Sequence, residues 1–349
     1  MKNLNVGIIG CGMIAFATHL KALDNHPNIN LLAFHNRTIS KAEKANERYG
    51  SKASLVYDNS DDLMNDSRLD AVFILTANDT HASYVIKALK AGKHVMVEKP
   101  MARNYKEALS MVNAALDNQK ILSVAFQNRF RNEVTTLKNM IDQGKLGEIY
   151  TIKAKAIRRR GIPSWGNFTN QTIQGGGPLV DIGSHVLDLA LHFIDFPNIK
   201  YVAGSSYQKI AHKPSKNTFG PYHHNAYDVE DSAFGFIKTV NEVTILLEAS
   251  YALNTLDEGE NIIEIYGSKA GALIDKTLSI NYVSEDDFHQ ETLKTEDINP
   301  TQAMIDDFYD AIMNRQNPLV NAKEGLVVNR IIEAIYQASK ENKPIYLKD

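Results

Sequence analysis

An apolar run, Val6-Gly7-Ile8-Ile9, passes without a break into Gly10-Cys11-Gly12-Met13-Ile14-Ala15 and then into a helical stretch through Leu23. The six-residue segment fits G-x-G-x-x-A. Strand, glycine turn and helix in that order form the context in which this pattern signals a dinucleotide site. Gly10 takes the tight turn, Gly12 lets the backbone approach a pyrophosphate, and Ala15 lets the helix pack close to the strand. Met13 and Ile14 fall at the helix start, whose free N–H groups suit an anion. The competing reading is a tight strand-to-helix turn with no ligand. Cys11 fills a variable slot of the pattern, where a small space-filling residue fits better than a nucleophile.

At 349 residues the chain has room for two domains with sizeable cores. Its 44% hydrophobic and 23% charged content is that of a soluble globular protein. A net charge of −3 makes no electrostatic case for nucleic acid or for an anionic membrane surface. No apolar run reaches a spanning length, and the N-terminus lacks the layout of a signal peptide. With Cys11 as the single cysteine there is no internal disulfide and no cysteine-based metal site, and a reducing cytoplasm is the expected location.

The first third alternates the two periodicities. Strands are expected at Val6–Ile9, Leu31–His35, Ala71–Leu75, His94–Val97 and Ile121–Ala125. Helices are expected at Ser40–Tyr49, Ser60–Met64, His81–Ala91 and Tyr105–Asn118. Such alternation predicts a doubly wound parallel sheet with ligands at the carboxyl ends of its strands. After about Phe126 the character changes. Alternating runs at Tyr150–Arg159, Tyr201–Gln208, Ala233–Thr239, Glu242–Tyr251, Asn261–Tyr266 and Gly271–Asp275 predict an antiparallel or mixed sheet. Helices around Gln302–Arg315 and Ala322–Asn342 and a short segment Ile345–Leu347 close the chain, while Lys209–Asp228 and Ser284–Pro300 read as surface loops. The expected class is thus α/β, with domains at 1–125 and 126–349 and the last helix placed to pack back on the first domain.

Three strand ends carry chemistry. At the second, Phe34-His35-Asn36-Arg37-Thr38 offers a neutral amide where an aspartate would repel phosphate, followed by an arginine that can pair with one. NADP is favoured over NAD; the alternative is a surface arginine beside an asparagine that accepts NAD. Thr76, Asn78 and His81 follow the strand Ala71–Leu75 and are further candidate cofactor contacts. His94-Val95-Met96-Val97 runs directly into Glu98-Lys99-Pro100. Lys99 there can hold a ribose, orient a carboxamide or set a positive charge beside a substrate oxygen, with Glu98 to position it. An ordinary solvated Glu–Lys pair fits the spacing equally well.

Gly175-Gly176-Gly177-Pro178 precedes the most apolar helix, Leu179–Ile194, in which Asp181, His185, Asp188 and His192 recur at helical spacing on one face. Titratable groups are rarely buried without partners, so the stripe needs an explanation. Three are open: catalysis with His185 as base and Asp181 one turn away; a metal site, which must recruit from Tyr222-His223-His224 through Asp228, Glu230 and Asp231; or a structural polar seam, which suits Asp188 and His192 best.

Taken together, these landmarks resemble the glucose–fructose oxidoreductase / inositol dehydrogenase (Gfo/Idh/MocA) family. They are the glycine turn, Glu98-Lys99-Pro100, Gly144-Lys145-Leu146-Gly147, Gly175-Gly176-Gly177 with Asp181-Ile182-Gly183-Ser184-His185, and Val229-Glu230-Asp231 with the closing helix Glu324–Lys340. The resemblance implies a Rossmann domain followed by an α/β domain whose open sheet forms the subunit interface of a homodimer or homotetramer. It implies Lys99, Asp181 and His185 as catalytic residues, and hydride transfer between NAD(P) and a secondary alcohol or ketone of a sugar, polyol or glycoside, with no metal. Asn36-Arg37 departs from the acidic form of strand two. The Lys209–Asp228 insertion, with Tyr222 and His223, lies outside the shared pattern and is expected to shape the substrate pocket. Trp165 offers a stacking face to a sugar or a plain packing role. A sugar-sensing regulator that binds without turnover is the other function this fold admits.

Overall fold

The computed structural model describes residues 3–347. Contacts divide it into two compact units, Met1–Phe130 with Asn299–Leu326, and Arg131–Ile298 with Val327–Asp349. This division differs from 1–125 and 126–349 chiefly in giving 299–326 to the first unit.

In the first unit β1 (Leu4–Ile9), β2 (Ile29–His35), β3 (Leu55–Tyr57), β4 (Ala71–Ile74), β5 (His94–Val97) and β6 (Leu122–Val124) form one sheet in the order β3-β2-β1-β4-β5-β6. All pairings are parallel. This is the doubly wound order whose direction reverses between β1 and β4, where such sheets bind ligands. β4, buried at every position, reads as a continuous apolar run because helices cover both faces. The crossover helices start where their caps allow. Asn59 and Asn104 accept hydrogen bonds from the backbone N–H groups of Asp61 and Glu107, opening helices Ser60–Asn65 and Tyr105–Asp117. Helix Pro300–Asn314, capped by Asn299, also belongs to this unit and sets Phe308 edge-on against Phe73 with ring centroids 5.6 Å apart.

The second unit is built on nine strands: β7 (Ile149–Ile157), β8 (Ile199–Tyr207), β9 (Ser232–Thr239), β10 (Thr244–Ser250), β11 (Gly259–Gly267), β12 (Ala270–Ile274), β13 (Leu278–Ser284), β14 (Asp287–Leu293) and β15 (Ile345–Tyr346). Their order is β14-β13-β12-β11-β7-β10-β9-β8-β15, antiparallel except for the β7–β10 pair. In β7, β9 and β10 buried residues such as Ile152, Ala154, Ala233, Ile237, Ile245 and Leu247 alternate with more exposed ones.

Two expectations need correction. Ser284–Pro300 is not all loop, because Asp287–Leu293 forms an edge strand that pairs with β13 through its backbone. Both its faces are largely exposed, so no apolar alternation marks it. The apolar helix Leu179–Ile194 is not one α-helix. It opens as a π-helical turn, Leu179–Gly183, and continues as an α-helix over Ser184–His192. The helix after the glycine turn opens the same way, with a π-turn at Ala15–His19 before α-helix Leu20–Asn25. Wider turns of this kind gather at functional sites. β3, β13 and helix Asn132–Asp142 are additional elements.

Candidate active site

The carboxyl ends of β2, β1, β4 and β5 stand side by side in the first unit. Gly10 N–H donates to the His35 carbonyl at 2.9 Å, Leu75 N–H to Ile9 at 2.8 Å, and Glu98 N–H to Ile74 at 2.9 Å. This brings Asn36, the glycine turn, Thr76 and Lys99 to one edge. Gly10 has φ +101°, and a Cβ built on it would lie 2.5 Å from the Leu75 carbonyl oxygen. A Cβ on Gly12 would meet nothing within 4 Å. Gly10 thus answers to the fold, while Gly12 faces open space of the kind a pyrophosphate needs. Met13, 67% exposed, and Ile14 border the same opening. These residues fit a dinucleotide. Burial pushes the Cys11 thiol up to about 12, which makes it a space-filler.

Asn36 serves the fold as well as the edge. Its Oδ1 accepts from Cys11 N–H at 3.0 Å and its Nδ2 donates to the Thr38 carbonyl at 2.9 Å. Arg37 and Thr38 beside it are exposed. Asn78 begins helix Asn78–Lys90 and is buried. His81 has no exposed surface. Its Nδ1 lies 3.0 Å from the Pro100 carbonyl and its Nε2 3.1 Å from that of Thr76. Burial lowers its pKa against the pull of those carbonyls. The expected cofactor contact at His81 therefore gives way to a brace between the two strand ends, since an imidazole with no exposed face cannot touch a ligand.

Glu98 is a brace too. Its buried Oε1 sits 2.6 Å from His19 Nε2, and Oε2 accepts from Lys99 N–H at 3.0 Å. Burial raises the pKa of Glu98, but the His19 hydrogen bond and nearby positive charge outweigh it and hold the carboxyl below its ordinary value. The helix behind the glycine turn is thereby tied to the strand end that carries Lys99. Lys99 itself is half-buried, and the Lys99–Pro100 peptide is cis. Sequence reasoning missed His19, which stands 79 positions from its partner.

In the second unit Asp181 and His185 are half-buried, whereas Asp188 and His192 further along the helix are buried. The start of this helix is held by Glu230, whose carboxylate accepts from Gly177 N–H at 2.9 Å, Leu179 N–H at 3.0 Å and the Tyr336 hydroxyl at 2.8 Å. Burial raises the pKa of Glu230 while those donors oppose it. Asp231 Oδ2 accepts from three consecutive backbone N–H groups, Lys209, Ile210 and Ala211, at 2.7, 2.6 and 3.0 Å, and so anchors the base of the 209–228 insertion. All three carboxylates that the metal reading would recruit accept backbone N–H groups, Asp228 from Gln171 at 2.7 Å beside the bonds of Glu230 and Asp231 just given. Among the described residues no group of three or more His, Cys, Asp or Glu is placed to hold a metal ion.

Tyr251, fully buried at the end of β10, donates its hydroxyl to Asp181 Oδ2 at 2.6 Å. Burial and then the Asp181 charge hold that phenol well above its usual range, so it remains a donor. Arg158 lies over the Tyr251 ring at 5.7 Å and over Phe219 at 5.4 Å, and pairs bidentately with Glu260 at 2.8 Å. Trp165 is 41% exposed and packs edge-on against Phe219 at 5.1 Å and Phe168 at 6.4 Å. Asn217 ties the insertion to the same loop through Ile162 N–H at 2.9 Å and the Ile162 carbonyl at 2.8 Å. Tyr222 turns its hydroxyl to the Lys213 carbonyl at 2.8 Å, within the insertion, and His223 is exposed. Neither Tyr222 nor His223 is brought to Asp181 by any of these contacts.

A model of an oxidoreductase family with an NAD-binding Rossmann fold matches residues 4–126, and its companion for the C-terminal alpha/beta domain matches residues 138–347. D-glucoside 3-dehydrogenase of Escherichia coli (strain K12) is 33% identical over 347 residues, covering 99% of this chain and 97% of that protein. The scyllo-inositol 2-dehydrogenase (NADP(+)) IolW of Bacillus subtilis (strain 168) is 25% identical over 374 residues, 100% of this chain and 97% of that one. Levoglucosan dehydrogenase, solved in complex with NADH and levoglucosan, shares the fold at TM-score 0.86 and 23% identity, each chain covered in full. The class is that of NAD-binding oxidoreductases. Within it, the chain belongs to the Gfo/Idh/MocA family. Among the described residues no helix is long and apolar enough to cross a membrane.

Proposed function

We propose that the chain oxidises a secondary hydroxyl of a sugar, polyol or glycoside, or reduces the matching ketone, with NADP preferred over NAD. A glucoside oxidised at C3 is the first substrate to try, since a relative similar over the whole chain bears that activity in its name. A bound nicotinamide supplies the hydride acceptor, or the donor in the reverse direction. His185 takes the hydroxyl proton as the carbinol C–H pair of electrons departs. Lys99 stabilises the oxygen as negative charge develops, where a charge fixed in advance acts most strongly. Asp181 orients the substrate and His185. The N–H groups of the glycine turn receive the pyrophosphate, and exposed Arg37 and Thr38 receive a 2′-phosphate that the neutral Asn36 does not repel.

The observation that carries this reading is the ordered Asp181. A carboxylate fixed by a buried phenol, one turn from a half-buried histidine, is what positioned proton transfer requires. Self-association through the nine-stranded sheet is part of the proposal, supported by aromatic residues such as Tyr150, Phe236 and Tyr346 left exposed on it. The test is a panel of glucosides, aldoses and inositols against NAD and NADP, followed by nicotinamide reduction, with sedimentation for subunit number. No turnover with any member, despite tight dinucleotide binding, would favour the regulator.

A further inference from the structure

Tyr251, which lies outside the family motifs, donates its hydroxyl to the motif carboxylate Asp181. Tyr251 comes from the end of β10, 70 positions away from the carboxylate it meets. Its ring is fully buried, and its hydroxyl lies 2.6 Å from Oδ2. The ring is fixed in turn. Arg158, from the end of β7, stacks on it with the guanidinium 5.7 Å from the centroid, and Glu260 at the start of β11 holds that guanidinium in a fork. The other ring that Arg158 covers, Phe219, belongs to the insertion and supports Trp165. Among the groups facing Asp181 are Tyr251, Arg158 and, through Arg158, Glu260; Tyr227 adds a second buried phenol near Tyr251.

We propose that Tyr251 is a positioning residue of the reaction: its hydroxyl fixes the Asp181 carboxylate relative to His185, and Arg158 fixes Tyr251. This inference rests on the proposed function. It makes the loop that bears Trp165 and the insertion that bears Phe219 part of one mechanical unit with the carboxylate, so substrate-side loop placement and proton-transfer geometry are set together.

A double-mutant cycle separates positioning from mere support of the fold. Tyr251→Phe, Asp181→Asn and the double variant are measured with the panel's best substrate, methyl glucoside being the first choice. Direct titration of NADPH binding and thermal unfolding accompany the kinetics. Tyr251→Phe keeps the ring and removes one hydroxyl. It lowers kcat by ~10- to ~100-fold, the worth of one hydrogen bond to a charged group, with KM and the NADPH Kd within about twofold. With Asp181→Asn in place, the same change alters kcat by less than about twofold. Equal losses in both backgrounds, or wild-type kcat in Tyr251→Phe, overturn the positioning role and leave the proposed function standing. Full activity in Asp181→Asn together with His185→Ala overturns the proposed function itself. If Tyr251→Phe fails to fold, Arg158→Lys carries the test: it lowers kcat in the wild-type background and not in Asp181→Asn, and any other pattern refutes the inference.

Discussion

The two glycines of the turn make opposite predictions, and both follow from the space around them. Replacing Gly10 by alanine forces a side chain into φ +101° and puts its Cβ 2.5 Å from the Leu75 oxygen and 2.7 Å from the Leu75 carbonyl carbon. That backbone cannot yield easily, because Leu75 N–H is bonded to Ile9 at 2.8 Å. The positive φ costs ~1–2 kcal/mol and the collision ~1–3 kcal/mol, together ~2–5 kcal/mol. For a domain of about 150 residues each kcal/mol lowers Tm by ~2–4 °C, so Gly10→Ala unfolds ~4–20 °C below wild type. Gly12→Ala meets nothing within 4 Å and leaves Tm within ~2 °C. Its methyl group instead stands where a pyrophosphate must approach, which weakens NADPH by ~10- to ~100-fold. The assay is thermal unfolding with and without NADPH. At a ligand concentration ~100 times the wild-type Kd, wild type gains ~2.7 kcal/mol, and Gly12→Ala retains only ~0.4–1.4 kcal/mol of that. A wild-type ligand shift in Gly12→Ala would mean that no phosphate comes near residue 12, and the dinucleotide reading of the turn would be wrong.

Other expectations are as direct. His185→Ala lowers kcat by ~10²- to ~10⁴-fold while NADPH affinity is retained; near-wild-type turnover removes His185 from proton transfer. Arg37→Ala weakens NADP by ~10- to ~100-fold and NAD by far less, measured by titration with each; equal weakening shows that Arg37 does not read the 2′-phosphate. Because the folded-state pKa of Glu98 lies below its ordinary 4.5, its contribution to stability is present at neutral pH and is lost as pH falls below about that value. Thermal unfolding of wild type and Glu98→Gln should therefore converge on acidification, and a gap that widens toward low pH contradicts the assignment.

What could be read from the chain and what could not divides by range. The glycine turn is local: strand, turn and helix follow one another, so Gly10, Gly12 and the sheet they begin were legible from adjacent residues. The parallel strands were legible because burial on both faces makes them continuous apolar runs, as at Ala71–Ile74. β14 was not, since an edge strand exposed on both faces is stabilised by backbone pairing that leaves no pattern in side chains. β3, three residues long, is too short for any period. Helix Asn132–Asp142 did carry a signal, with Val134 and Leu137 buried three positions apart, in a stretch otherwise polar enough to pass for a loop. At the candidate site Lys99, Asp181 and His185 stand out by motif. The residues that brace them, His19, Tyr336 and Tyr251, come from distant positions and become visible only when the chain is folded. The π-turn at Leu179–Gly183 was equally hidden, because apolar spacing reports which side is buried and not how widely the backbone is wound.

The first unit is assembled from two stretches separated by nearly the whole of the second. Its six strands are all made by residue 124, but the helix that sets Phe308 against Phe73 ends only at Asn314. On the ribosome, therefore, the nucleotide-binding sheet emerges early and waits with an apolar flank uncovered while most of the other sheet is translated. A fragment ending at residue 130 would carry every glycine of the fingerprint and still lack a wall of its own core. Maturation of this half is in that sense deferred, timed by the chain's return and not by its beginning.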